Sequence, residues 1–366
     1  MKENKVIMDI EQLTPEWLTN IFKNKGYLNQ GKVTKVIKIK SQETITSNVH
    51  FLEVTFSPDA QAEPAPNEIV VKIHKPFASF GGRHEAKFYN IVTETMNEMP
   101  IPVCYDAAFS EENGVSHIIL KNLSKTHVVC PEYPPSKRYL ERAIDCLAEL
   151  HAFWWDHPKL KELSKNSYVL YTFKENSFNE EEILTWFNSQ KETLKRFLNS
   201  FGVRISEKIK ELFKKVFSLF PQKTTERMKK ENITVIHADP HFLNFFYPKD
   251  ITNQNSKAIL SDWMIWSVGV GGQDLAYMIG LFFFPDYRYL TEKDLIKRYH
   301  NDLSKYGIKD YSWDECWYDY KLFALLNLYR VIWWWSFGMP SWEWRIRLES
   351  SISTIEDLNC MELLEN

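Results

Sequence analysis

The segment HADPHFLN, residues 237–244, concentrates side chains that could carry out chemistry. His237, Asp239 and His241 alternate along the chain, and on a strand they would face the same side and could bind a divalent metal. Asp239 and Asn244 are five positions apart, which is the spacing of an aspartate and an asparagine in catalytic loops that move phosphate. The two interpretations predict different companion residues elsewhere in the chain.

Phosphate transfer requires further groups for which the sequence can be searched. A lysine must bind the nucleotide phosphates, cations must neutralise the oxygens around the transferred phosphorus, and a polar group must orient the attacking hydroxyl. A second carboxylate for the metal is expected at the end of the strand pair that follows the loop, and Asp262 in AILSD has that place. Because an aspartate and an asparagine at this spacing also occur together by chance, the companions decide the interpretation.

Lys72 and Glu85 are candidates for two of these companions. Lys72 lies near the end of the predicted strand EIVVKIHK, and Glu85 lies on the helix predicted to follow, where it could form an ion pair with the lysine. Taken singly, an edge-strand lysine and a helix glutamate are ordinary surface residues. Their order along the chain favours phosphoryl transfer: strand lysine, helix glutamate, loop aspartate and asparagine, then strand-end aspartate.

The first third of the chain has the pattern of a small α+β unit. Thr14 before Pro15 predicts a helix start, because threonine caps free amides and proline fits the first turn. Asn113-Gly114 predicts a hairpin between the last two strands. The β-branched runs predict strands over 33–40, 48–57, 68–75, 101–110 and 115–123, and helical spacing predicts one main helix over 84–98.

The rest of the chain is predicted to be mostly helical. Ser312 and Glu315 have the spacing of a capping box. One β-like stretch, 232–263, surrounds HADPHFLN with short apolar runs and places it in a loop beside a β-hairpin. Apolar periodicity predicts helices over 138–155, 179–200, 206–219, 291–305, 312–336 and 342–364. This outline is that of a two-lobed kinase, with an N-terminal nucleotide-binding lobe over 1–121 and a C-terminal catalytic and substrate-binding lobe over 122–366.

Composition excludes several classes of protein. The 366 residues, 44% of them apolar, suffice for two cores, and 45 basic against 48 acidic residues argue against a nucleic-acid partner. The most membrane-like segment, 322–340, contains Arg330, so we expect a buried helix and no membrane span. The N-terminal residues lack the apolar core of a secretory signal, and the five scattered cysteines suit a reducing environment, so we expect a cytoplasmic protein.

The sequence resembles the small-molecule kinases of the aminoglycoside phosphotransferase and choline kinase group, and most of all their ecdysteroid-kinase-like branch. The resemblance extends from the first helix to about residue 280 and is carried by LTPEWL, VVK, EAKFYN, LAELHAFWWDHP, HADPHFLNFFYP and SDWMIWSVGVGGQDLAYMIG. It implies an α+β, bilobal protein-kinase-like fold, with a five-stranded antiparallel N-lobe and a larger helical C-lobe. It also implies ATP, Mg2+ and transfer of the γ-phosphoryl group to a hydroxyl of a small molecule. By position in the motifs, Asp239 would be the catalytic base, Asn244 and Asp262 the metal ligands, and Lys72 the phosphate-binding lysine with Glu85 as its partner.

The nucleotide site departs from the usual kinase pattern in two places. No G-x-G-x-x-G loop is present, and the turn after the first strand reads SQETITSN, so Ser47, Asn48 and nearby backbone amides are expected to contact the phosphates. At the expected hinge, ILKNLS, the candidates for adenine contacts are Leu120, Lys121 and Leu123, acting mainly through their backbone groups. The absence of the glycine-rich loop also leaves a nucleotide-binding pseudokinase as an alternative.

Four more residues are considered for supporting roles. His241 could tune Asp239 or contact the substrate, because histidine titrates near neutral pH. Asp274 and His151 are expected to be structural, since a buried carboxylate normally keeps paired partners and His151 lies beside an apolar helix face. Ala238 stands where relatives commonly have glycine.

Three consecutive tryptophans, Trp333, Trp334 and Trp335, could form a wall for a ring-containing acceptor. The acceptor itself stays open among an antibiotic, an amino alcohol and a steroid-like alcohol, and the oligomeric state stays open as well.

A metal-dependent hydrolase is the second alternative. It would use His237, Asp239 and His241, because imidazole and carboxylate suit zinc. Pro240 and the lack of a downstream histidine constellation argue against it.

Overall fold

The computed structural model of the protein describes residues 6–61, 66–96, 98–168, 175–176, 179–201, 205–253 and 255–365. In chain order, the strands are β1 Val33–Glu43, β2 Ser47–Phe56, β3 Glu68–His74, β4 Cys104–Ser110, β5 Val115–Lys121, β6 His127–Val129, β7 Thr234–Ile236, β8 Phe245–Pro248, β9 Ile259–Leu260 and β10 Ser267–Gly269. The α-helices are α1 Pro15–Asn24, α2 Ser79–Lys87, α3 Lys137–Trp154, α4 Leu160–Ser164, α5 Glu180–Phe201, α6 Glu207–Met228, α7 Gly272–Leu275, α8 Pro285–Lys305, α9 Trp313–Ala324, α10 Leu326–Ser336 and α11 Ser341–Asp357.

The chain divides into two units, and the first consists of Met1–Val128 together with Ile259–Ile265. Its five-stranded sheet has the order β1-β2-β3-β5-β4, and every neighbouring pair is antiparallel. Helix α1 begins as predicted, because the side chain of Thr14 accepts a hydrogen bond from the Trp17 amide. The predicted sheet of five antiparallel strands is confirmed.

Strand β3 shows how the alternation of side chains arranges the first unit. Ile69, Val71 and Ile73 are buried in the core cluster that also contains apolar residues of α1. Because successive side chains of a strand point to opposite faces, Lys72 and His74 lie on the other face of β3. The sequence pattern therefore directs one charged and one titratable side chain away from that apolar core.

Helix α2 begins five residues before the predicted start at 84 and ends at Lys87, where a π-helical segment, Phe88–Val92, follows. The prediction was too late because Gly81 and Gly82 are poor helix formers. A Cβ atom on Gly82 would lie 2.5 Å from the Ser116 hydroxyl and 2.8 Å from the His74 ring. Gly82 therefore allows α2 to lie close to β3 and β5.

The second unit consists of Val129–Ala258 and Trp266–Asn366. It is mostly helical, as predicted, and contains a short antiparallel pair of strands, β7 and β10. Helix α6 extends to Met228, beyond the predicted end at 219, and it includes Pro221 as a buried residue. The predicted single helix over 312–336 is divided at Leu325, and its capping box of Ser312 and Glu315 is present.

Helix α10 lies within the apolar segment 322–340, and its residues 326–332 are buried in the second unit. Arg330 in this helix is only 2% exposed. Throughout the part of the chain that the structure describes, no helix is both long and apolar enough to cross a bilayer.

Candidate functional site

In the first unit, Lys72 bonds to two carboxylates. Its Nζ atom donates to Glu85 Oε2 at 2.7 Å and to Asp262 Oδ1 at 2.8 Å. The Glu85 side chain is 1% exposed and that of Asp262 is 41% exposed. Lys72 therefore joins a buried carboxylate of α2 to a carboxylate that solvent can reach.

Electrostatics keep this ion pair charged. Burial alone would lower the pKa of Lys72, but the charges of Asp262 and Glu85 outweigh it and raise the pKa above its ordinary value. Burial would raise the pKa of Glu85, but Lys72 and a hydrogen bond from His74 hold that pKa below its ordinary value. The site thus contains a permanent cation, which is the requirement for binding phosphate oxygens.

His74 supports this pair, although the sequence analysis did not name it. Its Nε2 atom lies 3.1 Å from Glu85 Oε2, and its Nδ1 atom lies 2.8 Å from the hydroxyl of Ser116. The signal was present in the sequence, because His74 follows Lys72 by two positions and shares its face of β3. We call Lys72, His74, Glu85 and Asp262 the Lys72 group.

Helix α2 positions the segment that contains Asp262. Trp263 stacks on Phe88, with ring centroids 3.9 Å apart, and His84 Nδ1 lies 3.0 Å from the carbonyl oxygen of Met264. Asp262 itself has a left-handed backbone, with φ of 70°. The stacked tryptophan thus anchors the short segment that presents the aspartate.

In the second unit, Asn244 folds back onto Asp239. The Asn244 Nδ2 atom donates to the Asp239 carbonyl oxygen at 2.9 Å and lies 3.4 Å from Asp239 Oδ2. A single 3-10 turn, Phe242–Asn244, makes this possible by reversing the chain after His241. The five-residue spacing therefore brings the two side chains together.

Tyr277 was also missed by the sequence analysis. Its hydroxyl donates a hydrogen bond to Asp239 Oδ1. The two residues are 38 positions apart, and no local sequence pattern connects them. The contact becomes visible only in the folded second unit.

Asp274 holds the backbone on which Asp239 sits. It is fully buried, and it accepts hydrogen bonds at 2.8 Å from the amides of His237 and Ala238. His151 Nε2 lies 3.2 Å from Asp274 Oδ2, and His151 Nδ1 lies 2.8 Å from the Tyr299 hydroxyl. Burial would raise the pKa of Asp274, but the His151 hydrogen bond and the neighbouring histidines hold it below its ordinary value. Asp274 and His151 therefore have the buried, hydrogen-bonded positions expected of structural residues. We call Asp239, Asn244, Tyr277 and Asp274 the Asp239 group.

Ala238 adopts a backbone conformation that suits glycine, with φ of 67°. For a residue with a Cβ atom, this left-handed region costs about 1–2 kcal/mol. The hydrogen bond from the Ala238 amide to Asp274 helps to hold the strained residue in place. This explains physically why glycine suits this position.

The structure separates the three tryptophans. Trp334 lies edge-on to Tyr277 and Phe282, with centroid distances of 6.5 and 6.2 Å. Trp335 contacts Phe197, and Trp333 contacts Phe337. Of the three predicted substrate residues, Trp334 is the one whose ring contacts the tyrosine bonded to Asp239.

His241 lies beside the same aromatic residues. Its Nε2 atom is 3.8 Å from Asp239 Oδ2, and its ring packs on Phe282 at 5.2 Å. Its Nδ1 atom is buried and has no hydrogen-bond partner within the described residues. A role in contacting the substrate stays a prediction.

The residues predicted to bind the nucleotide all lie in the first unit. The buried Ser47 uses its hydroxyl within the turn to Thr44, at 2.9 Å, and Asn48 pairs with Glu43 and Ile73 in the sheet. At the end of β5, the Leu123 carbonyl accepts the amides of Thr126 and His127. Leu120 is partly buried and Lys121 is exposed. Their contacts with phosphate or adenine stay predictions.

The geometry does not favour the hydrolase alternative. His237 Nδ1 accepts a hydrogen bond from the backbone amide of Asp239 at 3.2 Å. Among the residues that the structure describes, no three His, Cys, Asp or Glu side chains come together as a metal-binding cluster. Within the described residues, HADPHFLN thus does not form the zinc site that the hydrolase alternative would require.

Comparison with known proteins identifies the family. The sequence matches the Ecdysteroid kinase-like family over residues 84–309, which is more than half of the chain. The chain belongs to this family. The predicted resemblance to the ecdysteroid-kinase-like branch is thereby confirmed, and the family is one of small-molecule, kinase-like phosphotransferases. No curated protein matches the sequence.

Solved structures share the fold at low sequence identity. The GDP complex of wild-type aminoglycoside 2'-phosphotransferase-IIIa is similar with a TM-score of 0.54 and 10% identity, covering 94% of this chain and 99% of that one. The GDP and kanamycin complex of APH(2")-IIIa is similar with a TM-score of 0.51 and 10% identity, covering 94% and 98%. The predicted kinase-like fold is confirmed, while identities this low carry no information about the substrate.

Proposed function

We propose that this protein is an ATP-dependent kinase that transfers the γ-phosphoryl group to a hydroxyl of a small molecule. The observation that carries the proposal is the position of Lys72 between Glu85 and Asp262, at 2.7 and 2.8 Å. In kinases, a lysine held by a helix glutamate binds the nucleotide phosphates, and an adjacent aspartate binds the metal. Membership of a family of kinase-like phosphotransferases supports the same assignment.

The residues present fit Mg2+ as the cofactor. Asp262 offers a carboxylate that is 41% exposed, and the side-chain carbonyl oxygen of Asn244 is a ligand of the type that Mg2+ accepts. When bound with the nucleotide, Mg2+ would neutralise charge on the phosphate oxygens. Asp262 and Asn244 would hold it, while Lys72 would bind the phosphates through its ammonium group.

Asp239 would orient the acceptor and receive its proton. A carboxylate within hydrogen-bond reach of the hydroxyl is suited to that task. Asp239 is 29% exposed, so a small molecule can approach it from solvent. The partly exposed rings of Phe282 and Trp334 near Tyr277 support an acceptor that contains a ring.

A substrate screen tests the proposal. The purified protein is incubated with Mg-ATP and a library of hydroxyl compounds that includes aminoglycosides, amino alcohols and steroid alcohols, and ADP release is measured. We expect release that depends on one class of compound and that the Asp239→Asn variant lacks. Equal release by this variant and the wild type would contradict the assignment of Asp239, and a wild type that binds Mg-ATP in a thermal shift assay without turnover would indicate a pseudokinase.

A further inference from the structure

Tyr277 contacts Asp239 through its hydroxyl and is itself almost fully buried. Its residue exposure is 4%, and its hydroxyl donates to Asp239 Oδ1. It lies in a π-helical segment, Ala276–Leu281, that follows α7. Such segments are rare, and they occur often at functional sites.

Helix α10 fixes Tyr277 through its ring and through the neighbouring backbone. The Arg330 guanidinium lies over the Tyr277 ring, 4.6 Å from its centroid, and donates to Asn327 Oδ1 at 2.7 Å. The Asn327 Nδ2 atom donates to the Ala276 carbonyl oxygen at 2.9 Å. Arg330 is 2% exposed and Asn327 is fully buried, so this arrangement is rigid.

We propose that Tyr277 is the positioning residue for Asp239 and that Arg330 holds Tyr277 in place, which rests on the proposed kinase function. By donating to Oδ1, Tyr277 occupies one carboxylate oxygen and fixes the rotation of the carboxylate. Oδ2 then becomes the oxygen that accepts the acceptor's proton. Asn244 Nδ2 and His241 Nε2 lie 3.4 and 3.8 Å from Oδ2, longer than the strong bonds of a charged pair.

The proton balance of the step is simple. The acceptor oxygen forms its bond to the γ-phosphorus while the bond to the bridging oxygen breaks, and the nucleoside diphosphate leaves with that electron pair. The acceptor's proton passes to Oδ2 of Asp239. Tyr277 keeps its own proton throughout, so its contribution is orientation and charge stabilisation.

The competing interpretation is that Tyr277 only fills the core. Its ring packs near Phe282 and Trp334, and a buried phenol needs some acceptor for its proton. Under that interpretation, removing the hydroxyl would lower stability without a specific effect on turnover. The two interpretations therefore differ in kinetics.

The test is Tyr277→Phe, assayed with the best acceptor from the library and with Mg-ATP. We expect kcat to fall by about 10- to 100-fold, as for other supporting partners of reactive groups, with KM for both substrates unchanged. In an Asp239→Ala background the same substitution should cause no further loss, because Tyr277 acts through Asp239. Tyr329→Phe is the matched control, because it removes a buried phenol from the same helix as Arg330. The Tyr329 hydroxyl donates to the Val216 carbonyl oxygen at 3.5 Å, and its removal should leave kcat unchanged.

A thermal unfolding cycle tests the contact without any acceptor. If the hydrogen bond forms, the shift in Tm for Tyr277→Phe combined with Asp239→Ala will be smaller than the sum of the single shifts. Additive shifts would overturn the proposal, and so would a wild-type kcat in Tyr277→Phe. A wild-type protein without turnover of any compound would instead overturn the proposed function, so the two failures are distinguishable.

Discussion

The Lys72 group and the Asp239 group are held together by different forces. In the first, the bonds from Lys72 to Glu85 and to Asp262 join opposite charges, and Glu85 is nearly inaccessible to solvent. In the second, the carboxylate of Asp239 contacts neutral donors, namely the Tyr277 hydroxyl and, at 3.4 Å, the Asn244 amide. Opposite charges hold the Lys72 group in place, whereas hydrogen bonds from neutral donors hold the Asp239 group.

This difference predicts different responses to substitution. Removing one member of a buried ion pair leaves an uncompensated charge, which is strongly destabilising. Removing one neutral hydrogen bond from a partly exposed carboxylate costs only about 1 kcal/mol of stability. Substitutions in the Lys72 group should therefore change folding and binding together, whereas those at Asp239 should separate activity from folding.

Asp239→Asn should show the largest effect, and it should affect only activity. Loss of the proton acceptor is expected to lower kcat by roughly three orders of magnitude. The Asn side chain can still accept the Tyr277 hydrogen bond, so the Tm should stay within about 1 °C of the wild type, equivalent to about 0.8 kcal/mol or less. ADP release and thermal unfolding measure the two quantities on the same samples.

A large fall in Tm would show that Asp239 is needed for folding, and it would remove the contrast with the Lys72 group. Leu243→Ala is a suitable control, because Leu243 is 54% exposed in the same loop. Its kcat and Tm should both stay close to those of the wild type.

Lys72→Met should lower both stability and nucleotide affinity. It leaves Glu85 buried with one charged partner fewer, at a cost of about 3 kcal/mol, since removal of one partner from a buried ion pair typically costs this much or more. Urea unfolding measures the free energy of unfolding, and a fluorescent ATP analogue measures binding.

The double variant Lys72→Met with Glu85→Gln separates the two effects. Neutralising Glu85 should restore most of the lost free energy of unfolding while leaving nucleotide binding weak. If the double variant regained nucleotide affinity, Lys72 would have no direct part in binding the nucleotide.

The sequence predicted more of the residues and contacts of the Lys72 group than of the Asp239 group. The five strands of the main sheet were predicted to within a few residues, because period-two alternation is a local signal. Lys72 and Glu85 followed from their order on the predicted elements. The same alternation could have found His74. Tyr277 could not be found in this way, because its contact with Asp239 depends on the packing of a π-helical segment that α10 holds in place.

Among the element boundaries that were wrong, two have local physical reasons. Gly81 and Gly82 weaken the sequence signal for the first turn of α2. Gly82 is nevertheless needed there, because only a small residue allows the helix to approach β3 and β5 closely. Pro221 lies just beyond the predicted end of α6 and is a poor helix former, but burial among apolar residues keeps the helix continuous through it. In both places tertiary packing overrode the helix propensity.

Asp274→Asn should lower the free energy of unfolding by about 2 kcal/mol. The reason is that the charge-assisted hydrogen bonds to Asp274 from two backbone amides and from His151 are weakened. The pKa of Asp274 is lower in the folded protein than its ordinary value. The stabilisation is therefore present above the unfolded value of about 3.9, and it disappears as pH falls through the lower folded value.

The measurement is the difference in Tm between wild type and Asp274→Asn from pH 7 to pH 3. We expect a constant difference down to about pH 4 and a smaller one below it. A difference that grew as pH fell would contradict a lowered pKa for Asp274. Asp250→Asn provides the control, because Asp250 is an exposed turn residue and should change the Tm only slightly.

Ala238→Gly should show the smallest effect, and it should be favourable. At φ of 67° a Cβ atom is strained, so glycine should raise the free energy of unfolding by about 1 kcal/mol, less the greater entropy that glycine gives the unfolded chain. Ala143→Gly makes the same chemical change inside α3, where Ala143 is fully buried, and it should lower stability by about 1 kcal/mol or more. Urea unfolding measures both changes in the free energy of unfolding. Changes of opposite sign would show that the backbone at Ala238 is strained and that its hydrogen bond to Asp274 helps to hold it there. If both variants instead lost a similar amount of free energy of unfolding, the backbone at Ala238 would not be strained. The contrast between the two groups would then rest on charge alone.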